Sequence, residues 1–463
     1  MFEALLKPKT IAVVGASENP MKIGYAIMKN LIEGGYDGEI FPINSNSSMI
    51  LGLKAYSTIV EIGKKVDLCV IAVPASSSIK AVRDLVDLGV SYIVLIPGGF
   101  SETGPAGKEL EKKVMEIVKG TETRIIGPNT VGVYFPYAKV NTALTPPDRV
   151  SFPGAGDIAF ISQSGALGLL TMDSISEFGI GISAFINLGN RIDLDEIELM
   201  EHFNSDPNTG SIAIYIESVD NGKLFYETLK RVNRAKPVVV LKSGRTKSSA
   251  KAASLHTGSM ALDDRIFDGM LRQAGATRAF NEVELIDYSK VLSYSPQLKG
   301  KNIAIVTTAG GVGVITADYV SATDHGIGMN LAVLKEETKR RIRDSIIAFG
   351  SAENPVDLTA DGSPESYGLV LSALLDDENV DGIIAYALPQ TPKMNLGIAD
   401  IIAKYSESGK PIVVGVIGSM LGTELIKEFE NKKIPAYPSI ERTVLSIKAL
   451  YNYSKYMEER NND

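Results

Sequence analysis

Cysteine is almost absent from this 463-residue chain. The one cysteine, Cys69, lies in the apolar run Val66-Asp67-Leu68-Cys69-Val70-Ile71-Ala72-Val73. It reads as a buried strand residue, and a disulfide within the chain is excluded. Long apolar runs are missing too: none reaches the ~18 residues that a membrane-spanning helix needs. The N-terminus, MFEALLKPKTIAVVG, carries acidic Glu3 and enters a strand almost at once, unlike a signal peptide. A cytoplasmic location is the expectation. Basic excess is lacking, and a net charge of -8 gives no global reason to expect nucleic-acid binding. Histidine is scarce, at His202, His256 and His325, and no metal site is expected.

What is present is apolar residue in quantity. A content of 44% fills several cores, and the length suits roughly three domains. Short β-branched runs alternate with longer amphipathic stretches, the pattern of an α/β fold with parallel sheets and crossover helices. The first block holds the runs 10–14, 39–43, 68–73, 92–96 and 124–127 and reads as a small doubly wound domain over 1–133. A Pro-containing connector, 134–156, follows. The second block, 157–295, opens with Asp157-Ile158-Ala159-Phe160-Ile161-Ser162, and the third, 296–463, with Asn302-Ile303-Ala304-Ile305-Val306-Thr307. Each continues into a small-residue turn and a helix. Later strands also correspond, with 211–216 paralleling 382–386 and 236–240 paralleling 410–414. Two related flavodoxin-like units are the simplest account. The third block carries an insertion that includes 336–344 and 354–358. A pattern generic to α/β folds remains the alternative.

Several turns have the chemistry to hold a phosphorylated ligand. Gly15-Ala16-Ser17 follows the first strand, and Lys22-Ile23-Gly24 leads into a helix. Glycine permits the tight turn, and a helix N-terminus offers unpaired amides and a positive dipole end. This is not G-x-G-x-x-G. The second strand ends at Asn44, where a dinucleotide enzyme usually has an acidic residue for the ribose. Both departures disfavour a dehydrogenase and leave another nucleotide-bearing ligand, such as coenzyme A, open. Val73-Pro74-Ala75 and Pro97-Gly98 end later strands at the same carboxyl edge. In the second block, Gln163-Ser164-Gly165 lies between strand and helix. Ser164 is suited to phosphate and equally suited to cap the helix. Its strand-Ser-helix setting also resembles a nucleophile elbow, but the G-x-S-x-G frame is absent. Gly310-Gly311 offers a second helix N-terminus of that kind. Glu217 ends a buried strand, placed either to accept from an imidazole N–H or to cap the next helix.

His256 stands among small, hydroxylated and basic residues, with no apolar periodicity around it. The segment 242–261 reads as a solvated loop. An exposed imidazole beside Lys and Arg suits phosphoryl uptake and release, though an ordinary surface histidine has the same setting.

Taken in order, Gly15-Ala16-Ser17, Gly127-Pro128-Asn129-Thr130-Val131-Gly132, Ser162-Gln163-Ser164-Gly165, Asn187-Leu188-Gly189-Asn190, Glu217-Ser218, Lys242-Ser243-Gly244-Arg245 and His256-Thr257-Gly258-Ser259 resemble the α subunits of ADP-forming acyl-CoA synthetases, relatives of succinyl-CoA synthetase. The resemblance covers essentially the whole chain. It implies a Rossmann-like CoA-binding domain, whose ligand contacts would come from Gly15, Ala16, Ser17, Lys22, Gly24, Asn44, Val73, Pro74, Ala75, Pro97 and Gly98. Two flavodoxin-like ligase domains would follow. It also implies a phosphohistidine at His256 with Glu217 in support. Asn129, Thr130, Gln163, Ser164, Gly165, Gly310 and Gly311 would hold the phosphate and acyl group. The family's ATP-grasp β subunit, which carries ADP or ATP and most of the Mg²⁺ ligation, has no counterpart among the three blocks. A separate partner in an α₂β₂ assembly is expected. A non-catalytic CoA-binding regulator is the alternative.

Overall fold

The computed structural model describes residues 2–251, 263–324, 326–418 and 420–461. Its contacts divide the chain into two compact units. The first is Met1–Ser176 with Gly181–Ala274, and the second is Glu177–Ile180 with Gly275–Asp463.

The first unit holds two sheets. In one, strands β1 (Thr10–Val14), β2 (Glu39–Ile43), β5 (Leu68–Ile71), β6 (Tyr92–Leu95) and β7 (Arg124–Ile126) run parallel in the order β2-β1-β5-β6-β7. A small hairpin, β3 (Met49–Ile50) with β4 (Leu53–Lys54), stands beside it. The central strands are buried on both faces, which is why they read as unbroken apolar runs and not as alternation. Cys69 is fully buried in β5, and burial pushes its thiol far above the usual range.

In the second sheet, strands β10 (Ala155–Ser162), β11 (Ile182–Asn187), β12 (Ser211–Ile216) and β13 (Val238–Lys242) are parallel. Two short strands, β8 (Val133–Phe135) and β9 (Val140–Asn141), extend its edge in antiparallel fashion. These six strands lie in the order β13-β12-β10-β11-β8-β9. Part of the stretch read from sequence as a connector is therefore regular structure. Phe185 pairs with Tyr134 and Ile186 with Val133.

The two sheets are tied further along. Arg124 on β7 contacts Asp193 at 3.0 Å and Glu198 at 2.8 Å. The helix Glu196–Ser205 starts there because Asp195 caps it, accepting from the N–H groups of Ile197 and Glu198 at 2.9 and 3.0 Å.

In the second unit, β14 (Thr277–Ala279) precedes a further sheet. Its strands are β15 (Asn302–Thr307), β16 (Asn330–Leu331), β18 (Gly382–Tyr386), β19 (Ile412–Gly415) and β20 (Ala436–Tyr437), in the order β16-β15-β18-β19-β20. The inserted segment contributes β17 (Val356–Asp357), which pairs with β15 at Val306 and Thr307, beyond the two residues that pair with β16. The α/β class with parallel sheets is thus present throughout. Among the described residues, no helix is long and apolar enough to cross a membrane.

Candidate functional site

In each doubly wound sheet the strand order reverses once, and the loops at that point open a crevice at the carboxyl ends of the strands. In the first sheet the reversal falls between β1 and β5. Gly15, at φ +89°, turns the chain out of β1, and a Cβ there would stand 2.8 Å from Val73 Cγ1. A Cβ on Gly24 would overlap the carbonyl oxygen of Gly15. The loop thus folds back on its own helix, and both glycines are required sterically. Ala16 and Ser17 are buried, and Ser17 Oγ accepts the N–H of Asn19 at 3.1 Å. Lys22 is exposed at the start of the helix Ile23–Glu33, which has no side-chain cap. Asn44 braces the turn: its Nδ2 donates to Ala16 O at 2.8 Å and its Oδ1 accepts from Asn46 N–H at 2.8 Å.

Across the crevice, Val73 and Ala75 are half-buried and Pro74 starts the helix Ala75–Asp87, again without a side-chain cap. Gly98 is exposed, while Pro97 O accepts the N–H of Asn129 at 3.0 Å. Nearby, Glu102 accepts from Gly99 and Phe100 N–H and from the Asn190 amide. Burial opposes its ionisation, but these hydrogen bonds outweigh it and hold the carboxyl below its usual range.

The second reversal lies between β10 and β12. Here Gln163, Ser164, Gly165 and Glu217 come together. The Gln163 side chain is hydrogen-bonded at both ends. Its Oε1 accepts the N–H groups of Glu217 and Ser218 at 2.7 and 3.1 Å. Its Nε2 donates to Ser218 O at 3.0 Å and to Glu196 at 3.3 Å. Its role in the free chain is therefore to hold the Glu217 turn. Ser164 Oγ accepts from Leu167 N–H at 3.4 Å, a long cap on the helix Gly165–Glu177. Glu217 is half-buried, and Tyr215 donates its hydroxyl proton to Glu217 Oε1 at 3.3 Å. Burial, reinforced by the Glu217 charge and opposed by a bond from Ser243, pushes that phenol up to about 12, so it stays a donor.

The first sheet closes onto this crevice. Asn129 is exposed at φ +59°, and Thr130, buried, donates to Asn187 O at 2.6 Å. Asn187 in turn holds Val131 N–H and Ser162 O. A Cβ on Gly165 would overlap Val131 Cγ1, and one on Gly189 would overlap Pro128 O. These two glycines let the 127–132 loop reach the start of the second sheet's first helix.

His256 lies outside the described residues, as does His325. The segment that leads to His256 leaves β13 beside Glu217: Ile216 pairs with Lys242, and Ser243 N–H donates to Ile216 O at 3.0 Å. Its first part is not loop. Residues 247–251 are helical, because Thr246 and Ser249 bond each other's backbone N–H at 2.9 and 3.1 Å, a reciprocal cap. Lys242 is fully buried, 3.8 Å from Asp264 at the far end of the same segment.

Gly310 and Gly311 are exposed at the start of the helix Gly310–Ser321 in the second unit, which has no side-chain cap. The carboxylate of Asp357, on β17, stands where a Cβ on Gly310 would point. Among the described residues no group of three or more His, Cys, Asp or Glu side chains is arranged to hold a metal ion. Sequence reading missed Arg191, whose left-handed backbone at φ +54° follows the Gly189-Asn190 turn. Its only signal was a charge directly after that motif.

Family models match residues 9–136 as a CoA binding domain, 155–292 as a succinyl-CoA ligase like flavodoxin domain and 303–459 as a ligase-CoA domain. The alpha subunit of acetate–CoA ligase (ADP-forming) I from Pyrococcus furiosus is 39% identical over 98% of this chain and 98% of its own. Acetate–CoA ligase (ADP-forming) from Methanocaldococcus jannaschii is 35% identical over 96% of this chain but only 62% of its own length. A Ca. Korarchaeum cryptofilum acetyl-coenzyme A synthetase, solved with phosphate and ADP, superposes with a TM-score of 0.87 at 34% identity over 99% of each chain. By a match that runs along nearly its whole length, the chain belongs to the family of ADP-forming acetate–CoA ligase alpha subunits.

Proposed function

We propose that this chain, with a partner, converts acyl-CoA, phosphate and ADP into carboxylate, CoA and ATP, acetyl-CoA being the acyl donor, and that His256 carries the phosphoryl group. A phosphate oxygen attacks the thioester carbonyl. The C–O bond forms, the C–S bond breaks, and CoA leaves as a thiolate. A ring nitrogen of neutral His256 then attacks phosphorus of the acyl phosphate, releasing the carboxylate. The phosphohistidine finally yields its phosphoryl group to ADP.

In this reading CoA sits in the crevice between Gly15-Ala16-Ser17 and Val73-Pro74-Ala75. The steric demand at Gly15 and Gly24 and the two uncapped helix starts support that assignment. Lys22 is free to approach CoA phosphates. The start of the helix Gly165–Glu177, with Ser164, receives the phosphate, because phosphoryl transfer depends on positioning and charge stabilisation. Glu217 accepts the second ring N–H of His256 and stabilises the positive charge that develops. Gly310-Gly311 would serve as a further phosphate contact, against the nearby Asp357 carboxylate.

The observation that carries this reading is the second sheet's switch point. One side chain, Gln163, joins the helix start to the Glu217 turn, and the His256 segment departs beside that turn. An ATP-grasp β subunit would bind the nucleotide and most of the Mg²⁺ coordination, in a cytoplasmic α₂β₂ assembly. The longer Methanocaldococcus relative, of which this chain matches 62%, leaves room for such a part within one polypeptide.

The test is direct. The chain is incubated with radiolabelled acetyl phosphate, and acid-labile, base-stable label is measured. Labelling of wild type and none of His256→Ala is expected. Equal labelling of His256→Ala would falsify the assignment.

A further inference from the structure

Arg191 lies one residue beyond the turn that joins the two sheets, and its side chain is 8% exposed. Its Nη1 donates to both oxygens of Glu196, at 2.8 and 3.0 Å, and to the carbonyl oxygen of Ser218 at 3.0 Å. Its Nη2 donates to Ser218 Oγ at 3.2 Å and to Asp220 at 3.0 Å. Glu196 is 1% exposed. Burial drives its carboxyl upward and the Arg191 charge opposes that. The buried pair and the Gln163 amide meet at the same two places, Glu196 and the Ser218 carbonyl.

The backbone of Glu217 and Ser218 is thus held from two sides. Gln163 takes both N–H groups, and Arg191 takes the carbonyl and hydroxyl that follow them. Asn190, the preceding residue, donates to Glu102, in the turn after β6, and to Glu111, on the helix Pro105–Val118 that follows it, at 2.7 Å each. The guanidinium therefore hangs from a turn whose own position is set by the loop after β6.

We propose that Arg191 is a positioning residue for Glu217: its two-armed hold on Ser218 fixes the carboxylate in the place from which it meets the histidine. The proposal rests on the reading of Glu217 as the support of a phosphohistidine. Arg191 touches neither substrate nor reacting atoms in this scheme. Lysine can keep the charge opposite Glu196, but a single ammonium cannot span both arms of the fork.

The test uses the full chain and radiolabelled acetyl phosphate, with Arg191→Lys, Glu217→Gln and their double variant. Arg191→Lys is expected to unfold close to the wild-type temperature. Its maximum labelling rate is expected to fall at least about tenfold, since a misplacement near 1 Å costs up to ~10²-fold. The half-saturating acetyl phosphate concentration should stay near wild type. The double variant should label no more slowly than Glu217→Gln alone, because Arg191 acts through that carboxylate. Ser218→Ala, which leaves the charge pair intact, carries the test should the lysine variant not fold. It is expected to slow the same step about threefold, the worth of one ordinary hydrogen bond.

A wild-type rate in the variant tested, or a loss that multiplies with that of Glu217→Gln, overturns the proposal. A raised half-saturation with unchanged maximum rate overturns it too. Wild-type labelling by Glu217→Gln itself removes the underlying reading, and this proposal with it.

Discussion

The amide oxygen of Gln163 accepts the backbone N–H of Glu217 at 2.7 Å across 54 residues of sequence. Replacing Gln163 by leucine leaves that donor and the N–H of Ser218 without their acceptor. Ser218 is 9% exposed, so water replaces the lost bond poorly. Gln163→Leu should destabilise the first unit by about 1–3 kcal/mol. Its labelling by acetyl phosphate should slow, while the thermal shift produced by CoA stays at the wild-type size. Loss of the CoA shift together with the labelling would show that Gln163 acts more widely than on this turn.

Gly24→Ala should abolish the stabilisation by CoA. Its new methyl group meets the Gly15 carbonyl, which is backbone and has no rotamer to yield. The expected destabilisation is about 1–3 kcal/mol. Gly222, at the first position of the helix Gly222–Val232, opens onto space and serves as the control. Gly222→Ala should change stability by no more than about 0.5 kcal/mol. Thermal melts with and without CoA check both, and an unshifted CoA response in Gly24→Ala removes the crevice from consideration.

Lys290 and Glu430 form a fully enclosed pair in the second unit, Nζ to Oε1 at 2.6 Å with both side chains 1% exposed. Glu430 Oε2 has no partner among the described residues. Burial pushes the Glu430 carboxyl up to about 7, against the opposing Lys290 charge. A raised carboxyl binds its proton more tightly in the folded state than in the unfolded one. Its contribution to stability is therefore full at acidic pH, below the ordinary carboxylate range, and is lost as pH rises through the raised folded-state value. Glu430→Gln should flatten this part of the stability profile. Denaturant titrations of both proteins at pH 5 and pH 7.5 read the difference, and parallel profiles would show that the carboxyl is ionised throughout.

The reciprocal cap between Thr246 and Ser249 starts the helix that leads toward His256. Thr246→Ala should raise the hydrogen-exchange rates of amides 248–251 about fivefold, the equivalent of roughly 1 kcal/mol for a lost cap. Unchanged exchange would mean that the first turn is held from elsewhere.

The central parallel strands were legible because they are buried on both faces and leave continuous apolar runs, as in Leu68-Cys69-Val70-Ile71. Strands β8 and β9 were not. They span three and two residues, flank Pro136, and draw their order from long-range pairing, β8 with β11 and β9 with β8. The helical start at 247–251 was hidden for a related reason, since a Thr-x-x-Ser cap is a faint signal among other hydroxylated residues. At the candidate site, sequence named Gln163, Ser164, Gly165 and Glu217, which the fold brings together, but not the bonds by which Gln163 holds the Glu217 turn. The partners of Gln163 lie 33 to 55 residues away, and no local pattern encodes them. Arg191 escaped for the same reason: its bonds to Ser218 and Asp220 span 27 and 29 residues.

Strand β8 lies within the stretch 9–136 that the CoA-binding family model covers, yet it pairs with β11 and β9 of the second sheet. The seam in the polypeptide and the seam in the fold do not coincide. A gene fragment that ends at 136 carries away β8, which lies between β11 and the outermost strand β9, and leaves the β11 edge at Phe185 and Ile186 bare, an adhesive surface of the kind that promotes aggregation. Shuffling of CoA-binding modules among relatives would succeed only with residues 133–141 left on the acceptor, which places the workable crossover before β8.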